Sequence, residues 1–217
     1  MLVKICGIQD VDNARTAAES GADLLGMVFV SNRRRKITLD TACSIASDIK
    51  RLNGSCPKLV GLFSDQPIDE VNQFVEDCDL DMVQLCGSES LEYCESMSCE
   101  VIKVVQIPVH FNSYSDLSSI HELIKPYSDS GCYITLDSLV PGYQGGTGHT
   151  FDWDIASTIS KAGHSFLLAG GLTPDNVSQA IQQVHPFGVD VSTGVETNGV
   201  KDPNKITAFI QNARLLT

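Results

Sequence analysis

Four short stretches alternate apolar and polar residues: Val3-Lys4-Ile5-Cys6, Val83-Gln84-Leu85-Cys86, Ile134-Thr135-Leu136-Asp137 and Val189-Asp190-Val191-Ser192. Successive side chains of a β-strand point to opposite faces, so turning the apolar ones toward a helical layer turns the polar ones inward together. Lys4, Cys6, Gln84, Cys86, Thr135, Asp137, Asp190 and Ser192 then share one interior, and Lys103, between Ile102 and Val104, is expected to join them. Thiol, carboxyl and ammonium groups hold or move protons once burial and neighbouring charge tune them. The plain alternative is that such residues only pair with one another, and for Lys4 and Gln84 it weighs as much as function. It is weaker for Cys6 and Asp137, which end their strands where a glycine or a loop follows.

Two further stretches suit an anion. Ala169-Gly170-Gly171-Leu172-Thr173-Pro174 and Ser192-Thr193-Gly194-Val195 each leave a late strand. Glycines let the backbone approach a ligand and amides at a helix start favour negative charge, so Gly170, Gly171, Thr193 and Gly194 are the expected phosphate-binding residues. A tight turn without a ligand is the competing reading of Gly170-Gly171. The stretch Ser138–Thr150, carrying Gly145-Gly146-Thr147-Gly148 soon after Asp137, is expected to form a mobile cover that excludes water, with a plain flexible loop as the competing reading.

The elements that must position these groups follow a regular order. Short β-prone runs occur at Val3–Cys6, Leu24–Val30, Lys58–Phe63, Leu80–Cys86, Val101–Val105, Cys132–Asp137, Ser165–Ala169 and Gly188–Ser192. Helical periodicity lies between them. Leu39, Ala42, Ile45, Ala46, Ile49 and Leu52 share one face, closed by Asn53-Gly54, and Ile206, Phe209, Ile210 and Ala213 repeat the pattern. Thr173-Pro174 and Asp202-Pro203 each read as a capping residue before a first-turn proline. A helix near Ser113–Tyr127 has the weakest apolar stripe. Strand and helix repeated eight times imply parallel strands with right-handed crossovers, and the fold expected is α/β, a single (β/α)8 TIM barrel. An open doubly wound sheet is the runner-up, but the GxGxxG turn is missing. No linker divides residues 1–217, so a single barrel domain, phosphate-binding at its late loops, is expected. Such barrels keep their chemistry at the C-terminal strand ends, where Cys6 and Asp137 stand.

With 217 residues, 42% of them apolar and 19% charged, the chain can bury a sizeable core and is short for two ordinary domains. A net charge of −12 argues against nucleic acid or an anionic membrane as partner. An anionic ligand would have to be drawn by a few local cations and oriented amides. The eight cysteines include no CxxC pair. Together with an N-terminus lacking a signal-like apolar core, and no run of membrane-spanning length, this predicts a reduced, soluble, cytoplasmic protein. Most cysteines then act as small buried hydrophobes.

Several pieces taken in order resemble the phosphoribosylanthranilate isomerase family along nearly the whole chain. They are Val3-Lys4-Ile5-Cys6-Gly7-Ile8, the stretch from Ser20 to Gly26, Val83-Gln84-Leu85, Leu136-Asp137-Ser138, and Gly145-Gly146-Thr147-Gly148 leading to Phe151-Asp152-Trp153. The last are the run from Ala169 to Val177, Val189-Asp190-Val191-Ser192 and Gly194-Val195-Glu196. The run from Glu196 to Asp202 is most similar to stand-alone fungal forms.

The resemblance implies an Amadori rearrangement in tryptophan biosynthesis, with neither cofactor nor metal. N-(5-phosphoribosyl)anthranilate opens its ribose ring and becomes the amino-ketose 1-(2-carboxyphenylamino)-1-deoxyribulose 5-phosphate. By matched position it assigns Cys6 as general base for the sugar C2 proton and Asp137 as general acid at the ring oxygen. Arg35, within Arg33-Arg34-Arg35-Lys36, matches the arginine that pairs with the anthranilate carboxylate, and Arg34 is next in register. On that assignment Cys6 acts only as thiolate, which Lys4 or Arg35 would favour. Asp137 must keep a proton near neutral pH, and Asp190, counted among the substrate-binding residues, is expected to supply the like charge that keeps it there. The family usually continues Val-Gln-Leu with His-Gly, where Cys86-Gly87 stands here, and Leu39 replaces a proline often found after the arginine loop. Cys6 and Cys86 are not expected to bond, because strands one and four lie nearly across a barrel.

Other phosphosugar barrels are the enzymatic rivals. A ribulose-phosphate epimerase would need inward histidine and aspartate metal ligands, whereas His110, His121, His149, His164 and His185 all fall outside the expected strands. An indole-glycerol-phosphate synthase would want catalytic lysines and a carboxylate at other strand ends and a longer N-terminus. A barrel that binds a phosphorylated ligand without turning it over is opposed by Cys6 and Asp137 and kept open by Cys86. The partners expected are a small phosphosugar, no nucleic acid and no membrane, with the chain a monomer or a homodimer.

Overall fold

The computed structural model describes residues 1–52, 56–108, 114–139 and 152–215. Strands and helices alternate from the start: β1 (Leu2–Cys6), α1 (Val11–Glu19), β2 (Leu24–Val28), α2 (Leu39–Ile49), β3 (Lys58–Phe63) and α3 (Ile68–Cys78). Then come β4 (Met82–Leu85), α4 (Leu91–Glu95), β5 (Glu100–Pro108), α5 (Tyr114–Asp129), β6 (Tyr133–Leu139) and α6 (Trp153–Lys161). The chain continues through β7 (Leu167–Leu168), α7 (Val177–Val184) and β8 (Gly188–Val191) to a 3-10 turn at Thr193–Val195. It ends in a small hairpin, β9 (Glu196–Thr197) with β10 (Val200–Lys201), and α8 (Pro203–Arg214). The strands β1 to β8 form a closed parallel barrel in sequence order, sealed by pairing of β1 with β8.

Period-two alternation divides the core in two. The outward residues of the strands, such as Val3, Ile5, Val83, Leu85, Val189 and Val191, pack against the apolar faces of the helices. Inside the barrel a smaller cluster forms from Cys6, Leu24, Val28, Val60, Leu62, Met82, Ile102 and Leu167. The helices start where short polar side chains satisfy first-turn amides: Asp10 accepts from the Asn13 N–H, Thr38 from Thr41 and Asp202 from Asn204 and Lys205.

Two local expectations need correction. Thr173 does not cap α7, which begins only at Val177. The Thr173 amide donates to Asn176 Oδ1 (2.8 Å) and Asn176 Nδ2 donates to the Gly171 carbonyl (3.0 Å), so this asparagine braces a turn ahead of the helix. Lys103 does not face the barrel axis either. In β5 the interior receives Ile102, while Lys103 reaches the helical layer, where its ammonium meets Glu89 (2.5 Å) and the Gly87 carbonyl (2.7 Å) and lies over the Tyr127 ring. Both members of that ion pair are nearly inaccessible, at 4% and 1% exposure. An acidic partner on the outer side outweighs the alternation argument, because a buried ammonium must go where it is paired. Asn53-Gly54, most of the expected cover (140–150), His110 and His149 lie outside the described residues.

Candidate active site

At the C-terminal end of the barrel the strand ends and following loops surround a cavity of about 740 Å³. Cys6 and Asp137 both line it, together with Gln84, Cys86, Thr135, Asp190 and Ser192. The inward set read from alternation is therefore brought together, except for Lys103, and Lys4 lies just beneath the cavity, wholly buried. Cys6 ends β1 beside Gly26 of β2, which is its register partner. Asp137, half-buried, sits on β6 opposite Gln106 of β5, which also lines the cavity.

Lys4 and Asp190 are register partners on β1 and β8, and their side chains form an ion pair of 2.8 Å at 0% and 7% exposure. Lys4 thus takes Asp190 Oδ2, while Asp190 Oδ1 is left without a protein partner among the described residues. Burial works against the Lys4 ammonium, but Asp190, and behind it Cys6, more than offset this and raise its pKa. Lys4 does favour the Cys6 thiolate, but not enough to offset burial. Burial pushes the thiol up; Lys4 and Lys201 pull the other way and Asp190 adds to the rise, and the net shift is upward. The thiol of Cys86 is pushed to about 12, chiefly by burial, with the Gln84 side-chain amide opposing. Cys6 and Cys86 are both free thiols.

Three buried polar atoms of the cavity-lining residues have no protein partner among the described residues: Gln84 Oε1, Thr135 Oγ1 and Asp190 Oδ1. Buried polar atoms are ordinarily satisfied, so their concentration here marks the wall a polar ligand would complete. Gly170 and Gly171, at φ +90° and +66°, and Thr193 line the same cavity. Gly194 does not. A Cβ there would collide with the Leu172 carbonyl, so its bareness lets the two late loops touch. Among the described residues no cluster of three or more histidine, cysteine or acidic side chains is arranged to hold a metal ion.

Arg35 lines the mouth, and its guanidinium is held by Glu196: Nε to Oε1 at 2.6 Å and Nη2 to Oε2 at 3.1 Å. Arg34 and Lys201 reach the same carboxylate at 2.6 and 3.0 Å. Burial opposes ionisation of Glu196, but Arg35 and Lys201 hold its pKa down to about 2. Strand alternation points to neither Glu196 nor Lys201. The available signal is Asn198-Gly199, a dipeptide typical of tight hairpins, which folds β9 onto β10 and sets Lys201 opposite Glu196.

Residues 3–212 match the family model of N-(5'-phosphoribosyl)anthranilate (PRA) isomerase. The N-(5'-phosphoribosyl)anthranilate isomerase of Roseiflexus castenholzii is 40% identical over 218 residues, spanning 99% of this chain and 98% of that one. The crystal structure of phosphoribosyl anthranilate isomerase from Thermotoga maritima superposes with a TM-score of 0.81 at 33% identity, covering 99% of both chains. A further phosphoribosyl anthranilate isomerase structure, in complex with reduced 1-(o-carboxyphenylamino)-1-deoxyribulose 5-phosphate, has a TM-score of 0.79 at 32% identity and covers 99% of this chain and 98% of its own. A parallel barrel with a thiol and a carboxyl on one cavity wall, matched over nearly its full length, leaves one assignment: the chain belongs to the N-(5'-phosphoribosyl)anthranilate isomerase family and is an isomerase of tryptophan biosynthesis.

Proposed function

We propose that the cavity performs the Amadori rearrangement with Cys6 and Asp137 as its proton-transfer pair. Asp137 gives a proton to the ribose ring oxygen as the C1–O bond breaks, and the anilino nitrogen lone pair forms the imine. Cys6, as thiolate, removes the C2 proton; C1=C2 forms as the C1=N pair returns to nitrogen, and the resulting enolamine becomes the ketose by losing its O2 proton while C1 gains one. Substrate and product are isomers, so no electrons enter or leave. The observation that carries this reading is the shared cavity, which both groups line. Lys4 and Lys201 favour the thiolate against burial. Gly170, Gly171 and Thr193 hold the 5-phosphate through backbone amides, and Arg35 takes the anthranilate carboxylate.

The same proposal has the chain working as one domain over residues 1–217, in the cytoplasm, as a monomer or homodimer, on a small phosphosugar rather than nucleic acid or membrane. Among the described residues no helix is long and apolar enough to cross a membrane. On the same proposal the run from Glu196 to Asp202 is of the stand-alone fungal type; the relative described above is bacterial, and a phylogeny of full-length sequences decides it.

The test generates the labile substrate in situ and follows loss of its anthranilate-type fluorescence. Wild type is expected to turn over, with Cys6→Ser and Asp137→Asn each slowed by about 10²- to 10⁴-fold, the usual worth of a positioned acid or base. Variants as fast as wild type would remove both from the mechanism.

A further inference from the structure

We propose that Glu196 is a positioning residue: it grips Arg35 by the Nε/Nη2 edge and so presents the Nη1/Nη2 edge to a planar aryl carboxylate at the cavity mouth. This rests on the reading of Arg35 as the carboxylate anchor and adds what sets the orientation of that anchor.

A guanidinium offers two forked edges, each matched to a carboxylate. Glu196 fills one, with both of its oxygens engaged at 2.6 and 3.1 Å. Among the described residues nothing takes Arg35 Nη1. The Glu196 carboxylate is itself fixed from other sides. Arg34 Nη2 holds Oε2 at 2.6 Å, and the buried Lys201 Nζ holds Oε1 at 3.0 Å while also donating to the Ser192 carbonyl. Lys205 Nζ donates to the Glu196 backbone carbonyl at 2.8 Å. Exposure of 5% for Glu196 and 15% for Arg35 means neither is a loose surface pair. Room for the arginine stem comes from Gly7, directly after Cys6: at φ +75° it has no Cβ, and one built there would strike Arg35 Cδ. Glu196 thus ties the last loop of the barrel to the loop after β2, beside the residue that follows Cys6.

Two roles for Glu196 predict opposite signs. Three cations surround one carboxylate, so if Glu196 only damped their field, Glu196→Gln would strengthen binding of an anionic ligand. If it orients Arg35, the same change weakens it. Calorimetric titration with reduced 1-(2-carboxyphenylamino)-1-deoxyribulose 5-phosphate and with the same compound lacking the ring carboxylate separates the two. For Glu196→Gln we expect the carboxylated ligand to bind about 10- to 100-fold more weakly, the range of a charge-assisted pair, and the decarboxylated one to change by less than about twofold. Glu196→Gln combined with Arg35→Met should bind no more weakly than Arg35→Met alone. Gly7→Ala, which displaces the Arg35 stem and leaves every charge in place, should weaken the same ligand selectively. Tighter or unchanged binding by Glu196→Gln, or equal weakening of both ligands, overturns the proposal. An Arg35→Met variant that fails to discriminate between the ligands instead overturns the anchor reading beneath it.

Discussion

Replacing Lys4 by methionine isolates a carboxylate inside the barrel. Lys4 is inaccessible, Asp190 is 7% exposed, and their 2.8 Å contact is the only side-chain hydrogen bond Asp190 makes among the described residues. Removing one member of a buried pair costs about 3–5 kcal/mol, because the other charge stays buried without compensation. For a chain of this size each kcal/mol moves the unfolding midpoint by about 2–4 °C, so Lys4→Met should unfold about 6–20 °C below wild type. Lys4→Met combined with Asp190→Leu should recover at least half of that loss, since an apolar pair of similar volume carries no desolvation penalty. Activity should not recover in either variant. Among the influences on Cys6, burial raises the pKa most and Lys4 is the strongest opposing one, so its loss leaves the thiol still higher. Turnover near neutral pH should fall about tenfold for each pH unit of that rise, and regain rate as pH increases. Calorimetric melting with a pH–rate profile reads both effects. A Lys4→Met variant melting with wild type, or a double variant of wild-type activity, would refute the reasoning.

Other outcomes follow from single contacts. Lys103→Met breaks the buried pair with Glu89 on the helical side, so stability should drop by about 3–5 kcal/mol in chemical denaturation while kcat/KM of the folded fraction stays unchanged. An altered kcat/KM would return Lys103 to the interior. Gly194→Ala places a methyl against the Leu172 carbonyl and should raise KM by prying the late loops apart, at about 1–3 kcal/mol of stability; an unchanged KM would detach those loops from phosphate binding. Glu196 has a folded pKa near 2 against an ordinary 4.5, so its stabilisation is complete above pH 4.5 and disappears as pH falls toward 2. Acid unfolding of Glu196→Gln should lack that part of the slope; a curve parallel to wild type would deny the ion cluster.

The barrel was legible because its signals are local. Val3-Lys4-Ile5-Cys6 and Val189-Asp190-Val191-Ser192 carry their facing in a two-residue period, and the inward polar residues meet above the core as that period requires. Ile102-Lys103-Val104 defeats the same rule. There the deciding fact is Glu89, 14 residues away in the loop before α4, and no periodicity reports a partner in a loop. Arg35 and Glu196 lie 161 residues apart and touch only because β1, β2 and β8 adjoin in the closed barrel, so their pairing had no sequence signal. The balance of burial and charge at Cys6 was equally hidden: residue types named the neighbours, but only packing shows that burial outweighs Lys4 and Lys201. Thr173-Pro174 misled because a cap-then-proline pattern also suits a turn braced from Asn176.

The central claim is that a thiol ending β1 and a carboxyl on β6 act on one sugar. A crystal structure with the reduced amino-ketose phosphate bound tests it most directly. Cys6 Sγ should lie near C2 and an Asp137 oxygen near the former ring oxygen, each within about 3.5 Å. A ligand lying against only one of them, with apolar side chains packed before the other, would contradict it.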